Sequence, residues 1–279
     1  YSGPCGALDL TFLPFCTSPA SPVDVRITTR VYEDNFTSNL YGVIHEAGHA
    51  MYEQGFDPEW MHTPLCDAIS LGIHESQSRF WENDIGRTES FWNHFLPQMK
   101  TYFPRVLEGV SANDMALAVN PVNPSLIRVD ADEVTYGLHI ALRFELEQAL
   151  ISGDLSVSDL PGAWNEKMQE YLGVTPESDK NGVLQDIHWS MGGFGYFPTY
   201  SLGNLNSAQL YDSAQKALGP RLGDLQNGNY HGLLGWLRTN VHQFGKQYPP
   251  AELMQNATGK PTQPDYHWSY LKDRFSSMG

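Results

Sequence analysis

Two histidines four residues apart, with a glutamate directly after the first, constrain this chain more than any other feature. They lie in VIHEAGHAMYEQG at residues 43–55. Residues four apart share one helical face, about 6 Å apart along the axis. The imidazoles of His45 and His49 can therefore converge on one ion. Glu46 leans toward the same solvent pocket, where it can take a proton from metal-bound water. The bland alternative is a helix that happens to carry two histidines. Leu40, Val43, Ile44, Ala47 and Met51 make much of the helix apolar, and Gly48 permits close packing. Two imidazoles and a carboxylate are costly in such a setting without a partner, which favours the ion. The helix is expected over 38–55, capped by Ser38 or Asn39 and ended by Gly55.

Zinc needs a third protein ligand and an open position for water. Glu53 lies further down the same helix, beyond the ion. HESQSR at 74–79 is the better source, and Glu75 completes a His-His-Glu set from the next helix. Its neighbour His74 is the alternative, although adjacent helical residues point apart. The competing reading of Glu75 is a solvated glutamate.

The remaining chain supplies a helical frame. VDVRITTRVY (23–32) is β-branched at alternate places and predicts a short strand, while residues 1–22 are rich in Pro, Gly and Ser and read as an irregular lead-in. Helices are expected over 64–86, over 87–103 with an interruption at Pro97, over 131–153 and over 159–173. The 131–153 helix carries an apolar stripe of Val134, Leu138, Ala141, Leu142, Leu146 and Leu150, with Gly153 as its stop. SAQLYDSAQKALG, YHGLLGWLRTNVHQFG and DYHWSYLKDRF predict three more. The charges of LRFELEQAL read as a solvated or packed face, and the aromatic groups YHGLLGWL and DYHWSYL as core. The fold class is mainly α with a small sheet. No linker separates the 279 residues, so 1–279 reads as a single domain.

Composition narrows the partners. A net charge of −15 argues against nucleic acid, which needs a basic surface. No apolar run approaches the roughly 18 residues of a membrane span, and the start lacks the basic region of a signal peptide. The chain reads as soluble and cytoplasmic. Three cysteines, Cys5, Cys16 and Cys66, fit no zinc ribbon and read as free thiols, with a Cys5–Cys16 disulfide as the alternative. The chain starts at Tyr1 rather than methionine, as a fragment or processed product would. No nucleophile elbow, P-loop or dinucleotide fingerprint is present in the sequence.

Several motifs in order then resemble the Taq-type thermostable metallocarboxypeptidase family. DVRIT (24–28) fits its D-x-R-x-T, HEAGH is followed by HESQ (74–77) at the family's spacing, IRVDAD (127–132) fits I/V-R-x-x-A-D, and GVLQDIHW (182–189) fits G-x-x-Q-D-x-H-W. FGYFPTY (194–200) is also similar to family members. There are two departures. Leu13-Pro14-Phe15 stands where the family has H-P-F, and the chain resembles only the C-terminal catalytic part, without the N-terminal helices that form a lid.

The resemblance implies a zincin-like helical metallopeptidase fold with a small β-sheet next to the active-site helix. It implies one divalent ion, with zinc as the default and cobalt or manganese accepted, peptide substrates, and a homodimer. Removal of single C-terminal residues demands a cation for the terminal carboxylate. Arg128 is the first candidate and Arg26 the second, against internal salt bridges to Asp130, Asp132 or Asp24. His188, Tyr196 and Tyr200 are candidate donors to the oxyanion, against aromatic packing and a structural histidine. Gln185 and Asp186 are expected to orient the histidines. An endopeptidase or dipeptidyl carboxypeptidase shares these ligands, and a truncated relative that binds metal or peptide without turnover is the non-enzyme reading.

Overall fold

The computed structural model describes residues 6–11, 14–18 and 22–276, the side chains of 220–223 excepted. Strands β1 (Gly6–Leu10), β2 (Cys16–Thr17) and β3 (Val25–Thr29) form a sheet in the order β1-β3-β2, with β1 parallel and β2 antiparallel to β3. β3 follows its alternation: Val25 and Ile27 are buried and Arg26 is exposed. The two apolar side chains and Cys16 pack on Val43, Ala47 and Ala50 of helix α1 (Phe36–Glu53), which sets the sheet beside the histidine helix. The lead-in expected to be irregular thus contains two strands. β1 is almost wholly exposed, so no apolar alternation marks it, and it exists by pairing with β3. Cys16 and Cys66 are free thiols, whereas Cys5 and Leu13 fall outside the described residues.

The chain forms two compact units. One comprises the residues up to Val119 and those from Leu202 on, the other Asn120–Ser201. In the larger unit, α1 starts earlier than expected because the Asn35 side chain accepts from Ser38 N–H at 3.1 Å. Gly55 lies just beyond its end for packing reasons, since a Cβ there would meet His242 Nδ1 at 2.5 Å. Helix α2 (Leu71–Arg79) begins only at the Ser70 cap, whose hydroxyl accepts from Ile73 N–H at 3.1 Å. It continues as a π-helical turn over Phe80–Ile85. Helix α3 (Glu89–Tyr102) runs through Pro97 without a break, because the Asn93 carbonyl that Pro97 cannot bond lies on the exposed side. A short α4 (Ala112–Ala118) follows a Ser111/Asp114 capping box.

The smaller unit holds α5 (Tyr136–Ser152) and α6 (Leu160–Leu172), which end at the left-handed glycines Gly153 and Gly173. The buried face of α5 is not the expected stripe. Leu138 is 39% exposed and Val134 precedes the helix, while His139, Arg143 and Glu147 are buried with Ile140, Leu142 and Leu146. Leu142 and Leu146 pack on Trp164, Met168 and Leu172.

Four more helices follow, α7 (Pro198–Leu218), α8 (His231–Asn240), α9 (Pro250–Thr258) and α10 (Pro264–Ser276). From Leu202 on they belong to the larger unit. Its main core joins Tyr52 of α1 and Ile73 of α2 with Phe80, Leu210, Leu237 and Leu253. The α10 aromatics depart from the core expectation: the helix has no buried residue, and Trp268 is 69% exposed.

Candidate metal centre

α1 presents His45 and His49 one turn apart, and α2 presents Glu75 opposite them. The helices come this close because residue 48 has no side chain. A Cβ on Gly48 would sit 2.6 Å from the Gln77 carbonyl oxygen and 2.7 Å from Ser78 Cα. Glu75 is confined from the other side by Gly203 of α7, where a Cβ would lie 2.8 Å from Glu75 Cβ. The outcome is a triangle of donors. Glu75 Oε2 is 3.7 Å from His45 Nε2 and 3.5 Å from His49 Nε2, and all three ligand atoms lie within 4.8 Å of one another. Ligands at zinc bond lengths in a tetrahedron stand about 3.3–3.4 Å apart. The two Glu75–histidine separations come within a few tenths of an ångström of that spacing, and the imidazoles, inside the 4.8 Å spread, would draw together onto a shared ion.

The far nitrogens of both rings have acceptors of their own. His45 Nδ1 meets Glu82 Oε2 at 2.8 Å. His49 Nδ1 meets the His74 carbonyl at 3.0 Å and His74 Nδ1 at 2.5 Å, and His74 Nε2 reaches Glu53 Oε1 at 2.8 Å. Arg79 Nε donates to Glu75 Oε1 at 2.8 Å, which leaves Oε2 for the triangle. Sequence reasoning set Glu53 aside as lying beyond the ion; here it ends a carboxylate–imidazole–imidazole chain onto His49. Glu82 reaches His45 from the π-helical turn after α2, a placement that the regular spacing of Glu75, Arg79 and Glu82 does not by itself reveal.

The surroundings favour a cation. Burial would raise the Glu75 carboxyl, but His45 and Arg79 overcome it and hold the group well below the usual carboxylate range. Burial, aided by His74, lowers His49 to about 4, so its ring is neutral at pH 7. Glu46, 7% exposed, follows His45 on α1. Burial pushes its carboxyl up to about 7, with His45 opposing and Glu75 adding to the rise.

The other expected residues gather in the smaller unit, apart from Arg26. Arg128 is 6% exposed. Its Nε and Nη2 donate to Asp186 Oδ1 at 3.0 and 2.8 Å, its Nη1 donates to Tyr136 Oη at 3.0 Å, and its guanidinium lies 4.7 Å from the Tyr200 ring centroid. The internal salt bridge is therefore to Asp186, not Asp130 or Asp132; Asp132 instead accepts from the N–H groups of Val134 and Thr135, both at 2.9 Å. Arg143, fully buried, donates to the other Asp186 oxygen at 2.7 Å and to Gln185 Oε1 at 2.8 Å. Gln185 and Asp186, expected to orient histidines, thus bond arginines. The nearest such pair, His188 Nδ1 and Asp186 Oδ1, is 3.8 Å apart.

His188 Nε2 meets Tyr200 Oη at 2.9 Å, and its ring lies 5.0 Å from that of Tyr196. Glu147 anchors the Gly-rich segment by accepting from Trp189 Nε1 at 2.7 Å and Gly195 N–H at 2.5 Å. Arg26, on the exposed face of β3, forks onto Asp24 with two bonds of 2.9 Å.

Residues 1–275 match the family described as Carboxypeptidase Taq (M32) metallopeptidase. Thermostable carboxypeptidase 1 of Thermus thermophilus is 48% identical over 278 residues, spanning 100% of this chain and 54% of that protein. Carboxypeptidase 1 of Bacillus subtilis is 44% identical over 98% of this chain and 54% of its own length. The crystal structure of an M32 carboxypeptidase from Deinococcus radiodurans is similar with a TM-score of 0.96 at 44% identity, covering 100% of this chain and 56% of that one. The chain thus spans about half the length of the curated relatives it matches.

Proposed function

The chain belongs to the Carboxypeptidase Taq (M32) metallopeptidase family, and from that premise we propose that it forms the catalytic part of a metal-dependent carboxypeptidase. Its reaction is the release of single residues from peptide C-termini with broad specificity. The observation that carries the reading is the convergence of His45 Nε2, His49 Nε2 and Glu75 Oε2 within 4.8 Å. Two imidazoles and one carboxylate suit zinc, and also accept cobalt or manganese. An ion held by this set supplies a Lewis acid that polarises the scissile carbonyl and acidifies water.

The chain's own groups do the rest. Glu46 takes the proton from the attacking water and passes it to the leaving amine. Arg128 is the first candidate for the substrate carboxylate. Three of its five N–H groups are used on Asp186 and Tyr136, and two remain without a partner among the described residues. Arg26 is the weaker candidate, since its fork is closed by Asp24. His188, Tyr196 and Tyr200 act as donors to the oxyanion of the tetrahedral intermediate. Peptide substrates, a homodimeric assembly and a cytoplasmic setting complete the reading. The net charge of −15 disfavours nucleic acid as a partner, and no described helix is long and apolar enough to cross a membrane.

Digestion of one peptide in free-acid and C-terminally amidated forms tests the proposal, using the metal-stripped and zinc-loaded chain. The expected outcome is stepwise loss of single residues from the free acid, with zinc only, and resistance of the amide. Glu46→Gln should lose turnover by about a hundredfold to ten-thousandfold with its zinc content unchanged. His45→Ala should lose the zinc. Release of dipeptides or internal fragments would instead support the endo- or dipeptidyl reading. Inertness at full zinc occupancy would support a non-catalytic relative.

A further inference from the structure

We propose that Glu82 is a positioning residue for this metal centre: from its π-helical turn it holds the His45 ring as the Nδ1–H tautomer with Nε2 turned to the ion. The proposal rests on the reading of His45, His49 and Glu75 as ligands.

Three observations carry it. The first is the contact itself. His45 Nδ1 stands 2.8 Å from Glu82 Oε2, while Nε2 of the same ring faces Glu75 Oε2 at 3.7 Å. A neutral imidazole has one N–H and one lone pair. An anionic acceptor at Nδ1 draws the proton there, and the lone pair is left on the nitrogen that faces the ion. It also makes that nitrogen a stronger donor.

The second observation is that Glu82 is fixed. It is only 9% exposed. Arg87 Nη2 donates to its Oε1 at 3.1 Å, and Arg79 Nη1 approaches its Oε2 at 3.5 Å. Arg87 is anchored in turn by the Val119 carbonyl at 2.7 Å and lies over the Tyr41 ring at 4.0 Å. Arg79 also donates to Glu75 Oε1, so one guanidinium ties the liganding carboxylate to the supporting one.

The third is the backbone. Glu82 lies inside Phe80–Ile85, a π-helical turn that begins where α2 ends. Gly86 closes the turn with its N–H on the Trp81 carbonyl at 2.9 Å, five residues back. A Cβ at Gly86 would meet the Glu82 and Trp81 carbonyl oxygens at 2.8 and 3.0 Å. Such single-turn π segments are uncommon and recur at functional sites. Here the turn carries the one carboxylate of its segment that reaches a proposed ligand.

The test is zinc affinity, measured by competition with a chromophoric chelator on the intact chain. The unaltered chain is compared with Glu82→Ala, Glu82→Gln and His45→Ala. Glu82→Ala should bind zinc about 10- to 100-fold more weakly. Glu82→Gln, which keeps an acceptor oxygen but no charge, should recover part of that loss. Nitrogen-15 shifts of the metal-free proteins, recorded in buffer alkaline enough that the ring is neutral, report the tautomer: His45 should be protonated at Nδ1 in the unaltered chain and lose that preference in Glu82→Ala. A structural role alone would change melting temperature without moving the tautomer. Zinc affinity of Glu82→Ala within threefold of the unaltered chain, or an unchanged His45 tautomer, overturns the proposal. Absence of zinc binding by the unaltered chain, or full binding by His45→Ala, instead overturns the ligand reading and takes this proposal with it. Should Glu82→Ala fail to fold, Glu82→Leu, which keeps the bulk and removes the acceptor, decides through the same tautomer signal.

Discussion

The larger unit's His45–His49–Glu75 triangle and the smaller unit's Arg128–Asp186–Arg143 network are both built from motif residues, and they end in opposite states. In the triangle the far atoms are bonded outward and the near atoms are left facing one another: Glu82 and His74 take the Nδ1 positions and Arg79 takes Glu75 Oε1. In the network, Asp186 gives one oxygen to each arginine, and Gln185 accepts from both Arg143 and the Arg128 backbone at 2.8 Å. The first arrangement is completed by something from outside the chain. The second is nearly complete without it: Arg128 and Arg143 each bond through three of their five N–H groups, the third of Arg143 on the His139 carbonyl at 2.7 Å. Largely buried polar residues can thus serve either chemistry or architecture, and the direction of their unused atoms separates the two.

The largest effect that would sharpen this contrast comes from Arg143→Ala. It strips one partner from a buried pair, so stability should fall by about 3–5 kcal/mol, while the zinc affinity of any folded protein should be unchanged. Urea unfolding read beside chelator competition checks it; a protein destabilised by under 1 kcal/mol would show that the network is not structural.

The next largest effect is expected from Gly203→Val on the metal side. The branched side chain has no room beside Glu75, so zinc affinity should drop about 10- to 100-fold, as for disruption of ligand support. Unaltered affinity would mean that Glu75 is not confined from that side.

Acid offers a smaller, graded test. Burial would raise the Asp186 carboxyl, yet Arg143 and Arg128 hold it below the ordinary value. The unfolded chain therefore takes up a proton at this group before the folded one does. Its contribution is fully present above about pH 4 and drains away as the pH falls through its folded pKa, at up to about 1.4 kcal/mol per pH unit. Denaturation midpoints of Asp186→Asn and the unaltered chain should converge as the pH drops below about 4. Parallel curves would assign the acid sensitivity elsewhere.

The smallest effect belongs to His139, fully buried with neither ring nitrogen bonded to a described residue. His139→Phe removes two unsatisfied atoms and should be neutral or stabilising by up to about 1 kcal/mol. A loss above 2 kcal/mol would mean that the ring has a partner.

The sequence was most legible where function is local. His45 and His49 announce themselves because a single helical turn sets their distance, and Glu75 because it lies in the next helix, in the HESQ stretch. The sheet was half legible: β3 alternates, but β1 is exposed along its length and acquires meaning only beside β3. α5 misled for the opposite reason. Its leucines suggested one stripe, while the buried face is turned by Arg143 and Glu147, whose partners stand 43 and 42 residues away at Asp186 and Trp189. Glu82 was hidden because nothing in a linear spacing shows that a turn will widen just after Arg79.

Gly48 and Gly203 matter for anyone who would transplant this centre. Copying the two imidazoles and the carboxylate into another helical scaffold reproduces the donors but not the span between their backbones. A methyl group at position 48 would wedge the helices apart before any ion arrived. Part of what brings these donors together is therefore written as missing atoms, and a graft that preserves only what is visible at the donor side chains would inherit the chemistry without its ruler.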